Sequence, residues 1–119
     1  MITHTVRVVD REILISNPTI IANCENSDLI ELDLDDEWNG RNILIVLGTG
    51  YDSLVCEYDG NPVVFPNELL TESRAIPISI VGYLDASNTT ENSRIITAET
   101  NRKFEVVNSG SLPSKQVMP

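Results

Sequence analysis

Few side chains in this sequence are of a type that could make or break bonds. Its one histidine, His4, lies near the chain start, in what reads as the first strand. Imidazole is the usual general base near neutral pH, but a triad also needs a nucleophile and an orienting partner. With no second histidine or other activating base, no Ser or Cys is credible as a nucleophile, so His4 reads as a strand residue and not a catalyst. Cys24 stands in Asn23-Cys24-Glu25-Asn26, where the adjacent carboxylate opposes formation of a thiolate. Cys56 shares a strand face with Leu54 and Tyr58 and reads as a small core residue. Gly48-Thr49-Gly50 lacks the lysine, the third glycine and the following helix of a phosphate-binding loop. No catalytic residue and no cofactor site is assigned, and the chain is read as a non-enzyme.

Asp33, Asp35, Asp36 and Glu37 form the best candidate metal ligands, because calcium prefers several oxygen donors converging from a loop. Their spacing does not match the twelve-residue calcium loop, and Asp residues before a turn commonly accept from their own backbone, so no metal is assigned. Trp38 follows immediately. Either its indole closes the end of the core, or it stands exposed as an anchor for a partner. Trp38, Tyr51 and Tyr83 are therefore the candidate partner-contact residues. With the acidic loop, they are also what a small carbohydrate-binding module would use.

The elements that must position these groups are strands. The 119 residues fit one domain, and a chain of this size can bury one core without staples. Apolar residues make up 41% of the chain but aromatics only 5%, so the core must be built from Ile, Leu and Val, which suit strands. Residues 3–9 alternate, with Val6 and Val8 on one face. Asp10-Arg11 then turns the chain into 12–16, and Asn17-Pro18 breaks it before a short run at 19–22. Residues 27–34 place Ile30, Leu32 and Leu34 opposite Glu31 and Asp33. Residues 43–47 are apolar on both faces, as in a strand covered on two sides. Asp59-Gly60 predicts a hairpin between 51–58 and 62–65. Residues 66–70 predict one helical turn opened by proline. The longest strand, 74–84, contains Pro77, which requires an edge position or a bulge. A polar loop at 86–93 leads to a final hairpin, 94–98 and 102–107, joined through Glu99-Thr100-Asn101. The pattern predicts an all-β, single-domain antiparallel β-sandwich of eight or nine short strands over residues 1–107. Residues 108–119 read as a polar tail or linker.

Eight basic against eighteen acidic residues leave a net charge of −10 and a pI near 4.3. Such a surface repels phosphate backbones and anionic lipid and suits a basic protein partner, so nucleic acid and membrane are excluded as partners. The N-terminus carries no basic or apolar signal region, the longest apolar run ends at Leu47, and two cysteines are too few for a disulfide framework. Synthesis in the cytoplasm with reduced thiols is the expectation.

Three landmarks carry a family resemblance: Asp36-Glu37-Trp38-Asn39-Gly40 before an apolar strand, Val63-Val64-Phe65-Pro66-Asn67-Glu68-Leu69-Leu70, and Ile78-Ser79-Ile80-Val81-Gly82-Tyr83. Over residues 27–84 the chain resembles the N-terminal domain of tail and baseplate structural proteins of phages and prophages of Gram-positive bacteria, similar to the upper baseplate protein family. The resemblance implies a β-sandwich that serves virion assembly by docking onto other tail or baseplate proteins, or onto itself as a homo-oligomer. It implies a virion-associated location and carries no catalytic residues. The chain is then a stand-alone adaptor or the first domain of a fibre protein.

Overall fold

The computed structural model describes residues 2–22, 28–48, 50–84 and 95–107, with backbone alone at 52 and 100–102. Cys24, the loop at 86–93 and the tail at 108–119 lie outside these residues. Nine strands form one mixed sheet: β1 (Ile2–Val9), β2 (Glu12–Ile15), β3 (Thr19–Ile21), β4 (Asp28–Leu34), β5 (Asn42–Leu47), β6 (Leu54–Tyr58), β7 (Val63–Val64), β8 (Arg74–Tyr83) and β9 (Ile96–Val107). The order is β6-β5-β8-β9-β2-β1-β4-β7, with β3 beside β9. The all-β class therefore holds, and the only helical segments described are 3-10 turns at Asp36–Trp38, Gly50–Asp52 and Asn67–Leu70. None is long and apolar enough to cross a membrane.

Period-two alternation produces these strands where it was legible. On β1, His4, Val6 and Val8 point inward; on β4, Asp28, Ile30 and Leu32 do; on β8, Ile76, Ile78 and Ile80 do. With Phe65, Phe104 and their neighbours these side chains form one aliphatic-rich core. Asp10 and Arg11 both have positive φ, 53° and 64°, and close the β1–β2 hairpin as the sequence predicts.

Pairing departs from the expected antiparallel sandwich in three places. β1 runs parallel to β4, and β2 and β3 run parallel to β9. The two expected layers are also parts of one continuous sheet, because β9 is long enough to pair with β8 along its length and with β2 and β3 on its other side. The strand path curls far enough to bring Tyr58 at the end of β6 to β4. The Tyr58 hydroxyl on β6 lies 3.3 Å from both the amide nitrogen and the carbonyl oxygen of Leu32 on β4.

Two predicted hairpins are corrected. Asp59-Gly60 does turn the chain, with Gly60 at φ 104° and the Asn61 amide donating to Asp59 Oδ1. But β6 pairs with β5 and β7 with β4, so this turn crosses from one end of the strand path to the other. The predicted hairpin at 94–107 is one strand. Pro77 pairs with Lys103 and Ser79 with Glu99, so residues 100–102 lie opposite Ile78 alone. The polar triplet that looked like a turn forms a bulge, opposite the region where Pro77 brings no N–H to the ladder. Pro77 thus sits in an interior strand, accommodated by the bulge and not by an edge.

Candidate functional site

Among the described residues the one chemically distinctive cluster is built at the start of β1 and β4. Both strands point a polar residue into the core at the position before their aliphatic run, and parallel pairing sets His4 beside Ile30, one inward step from Asp28. His4 is fully buried and Asp28 nearly so, at 3% exposed. His4 Nε2 lies 2.6 Å from Asp28 Oδ1, and Nδ1 donates to the Asn17 carbonyl at 2.5 Å. That carbonyl is aimed inward by the Asn17-Pro18 break, with Asn17 at φ 48°. Phe104 meets the imidazole edge-to-face at 5.7 Å and meets Phe65 similarly at 5.2 Å. Both ring nitrogens are thus engaged in a dry core, and neither is left to take a proton from a substrate. The arrangement is a three-way tie between β1, β4 and the Asn17 corner. Asp28 went unrecognised in the sequence, although its place in the inward register with Ile30 and Leu32 was a usable signal.

The acidic corner is occupied by its own chain. The Asp10 amide donates to Asp35 Oδ2 at 2.9 Å, Arg11 donates to Glu37 Oε1 from Nε and Nη2 at 3.0 and 2.7 Å, and Arg7 stands 3.7 Å from Asp33. Glu37 raises the Arg11 guanidinium pKa through that hydrogen bond and its charge. Asp35 and Glu37 thereby fasten the corner to the β1–β2 turn. Among the described residues no three carboxylate, thiol or imidazole groups converge as metal ligands.

The three aromatic candidates are not brought together. Trp38 is 2% exposed and covers the end of the core, its six-membered ring packed close against Gly82 of β8. Tyr83 is half-buried and shares with Trp38 an open hollow of about 510 Å3, whose wall also includes Arg41, Glu57 and Tyr58. Tyr51 stands fully exposed outside that hollow. Of the two readings of Trp38, the geometry is that of the plug.

Cys56 is half-buried on β6, packed against the core as its spacing suggested. Burial pushes its thiol pKa up, and the charge of Glu68 adds to the rise. Since the thiolate is the nucleophile, a Cys24→Ser variant should react with iodoacetamide on the order of tenfold more slowly than a free thiol at neutral pH. Its rate should still be climbing at about pH 9. A rate plateau near neutrality would contradict this.

The outer face of the β6-β5-β8 region carries a band of aliphatic side chains. Val46 lies between Val55 and Ser79, and Leu44 between Glu57 and Val81. Val55 is 58% exposed, and Leu44, Val46 and Val81 are half-buried. The apolar second face of β5 was legible in the sequence; that it faces outward was not. Neither the protein-family models nor the curated proteins compared with the chain produce a match.

Proposed function

We propose that this chain is a non-enzymatic structural module of a phage-like tail or baseplate, acting through protein–protein contacts. The observation that carries the reading is the outward apolar band formed by Leu44, Val46, Val55 and Val81. A protein that works through its surface has a use for such a patch, whereas scattered apolar residues need no explanation. The engagement of both His4 nitrogens supports the non-enzymatic part. The resemblance over residues 27–84 supplies the class of assembly, and the strongly acidic surface suits a basic neighbour.

Co-expression with the proteins encoded beside it, which this reading expects to be tail-morphogenesis proteins, is the direct test. A discrete complex by size-exclusion chromatography with light scattering is the expected result. Failure to form any complex with those proteins, or a neighbourhood of unrelated genes, would remove the reading. The carbohydrate-binding alternative is less well supported, because Trp38 offers no stacking face and Tyr51 stands apart. Glycan-dependent quenching of Trp38 fluorescence would revive it.

A further inference from the structure

We propose that the free edge of β6 accepts an added β-strand from a different protein, one that places an aliphatic residue against Val55 and a lysine or arginine against Glu57. The inference rests on the reading of the chain as an assembly module and names the surface and the partner chemistry.

β6 ends the strand path. Its ladder to β5 uses one edge, and among the described residues no strand pairs with the other. The Tyr58 hydroxyl contact with Leu32 ties the end of β6 to β4, so the edge offered to an added strand is 54–57, where no described strand pairs. Natural edges are usually blunted by lysine, proline, a bulge or extreme shortness. Over 54–57, β6 has neither proline nor lysine, pairs with β5 in unbroken register, and exposes Val55 at its middle. An added strand would extend the outward apolar band by one more row, since cross-strand neighbours on one face meet side by side.

Charge selects the occupant. Glu57 is exposed on the outer face and Glu68 is exposed near Cys56. Neither takes part in an ion pair among the described residues. A second copy would bring ten further negative charges and no basic residue on its own β6 to meet Glu57. A strand that carries an aliphatic and a basic residue two positions apart, on one face, satisfies Val55 and Glu57 at once.

The test uses the full chain and two fluorescent peptides of equal length and charge. One places valine and lysine two positions apart so that both lie on the face that meets Val55 and Glu57; the other replaces its central valines with proline, which keeps the charge and abolishes ladder pairing. Anisotropy should show the first binding about tenfold more tightly than the second, with hydrogen-exchange protection appearing at 54–57. Val55→Lys and Glu57→Lys, both at exposed positions, should each weaken it several-fold without unfolding the domain. Equal binding of the two peptides, indifference to both substitutions, or protection confined to another strand would overturn the proposal. So would self-association of the wild-type chain that Val55→Lys abolishes, since the occupant would then be a second copy. The same variants separate this inference from the functional reading. If they still form the tail-protein complex after losing the peptide, this edge is not the docking surface and the assembly role stands. If the wild type binds the peptide at 54–57 and forms no tail-protein complex, the assembly role fails and the edge remains a strand acceptor.

Discussion

Gly82→Ala should destabilise the domain by about 1–3 kcal/mol, although alanine at a strand interior is ordinarily the better residue by about 0.5–1 kcal/mol. A Cβ at position 82 would sit 2.8 Å from Trp38 Cε3 and 2.9 Å from Cζ3. Those atoms belong to a rigid ring that is 2% exposed, so the ring cannot swing aside without opening the core. Arg41 Cδ, at 3.2 Å, is the more yielding neighbour. Trp38→Ala should cost about 3–5 kcal/mol, as removal of a large buried ring does. The two effects are coupled: once the indole is gone, Gly82→Ala should cost nothing or stabilise slightly. Denaturant titration of both single variants and the double variant reads this directly. Additive costs would show that the indole does not depend on a bare backbone at position 82.

Asp28→Ala should cost about 3–5 kcal/mol, because it leaves His4 facing an unpaired position in a dry core. Asp28→Asn should cost less, about 1–2 kcal/mol, since an amide can still donate to Nε2 while Nδ1 keeps its bond to Asn17. His4→Ala should fall in the upper range as well, exposing both Asp28 and the Asn17 carbonyl. Against a total stability of about 5–15 kcal/mol, either alanine variant would leave a marginal fold. Thermal and urea unfolding distinguish the outcomes. An Asp28→Ala variant within about 0.5 kcal/mol of wild type would mean that the dyad holds nothing together.

These two sites also mark the boundary of what local pattern conveys. Alternation at 3–9, 27–34 and 74–84 was sufficient to place strands and to choose their inward faces, because side-chain direction on a strand depends only on parity. The Asp10-Arg11 turn was legible for a similar reason, since two residues suffice to reverse the chain. By contrast, Asp59-Gly60 has the composition of a hairpin turn and Glu99-Thr100-Asn101 that of a loop, yet neither forms a hairpin. Turn chemistry states that the chain bends; which strand it then meets is decided by the rest of the core.

Composition and periodicity alone determined that this chain folds as strands around an aliphatic core, under a strongly acidic surface. Both follow from residue type and spacing, which are local properties. Tertiary structure decided that β1 lies parallel to β4, and so that His4 meets Asp28 twenty-four positions away. It also decided that Trp38 closes the core against Gly82 and that the second apolar face of β5 looks outward beside an edge with which no described strand pairs. Each of these depends on contacts between segments distant in sequence, and such contacts are selected by the packing of the whole chain.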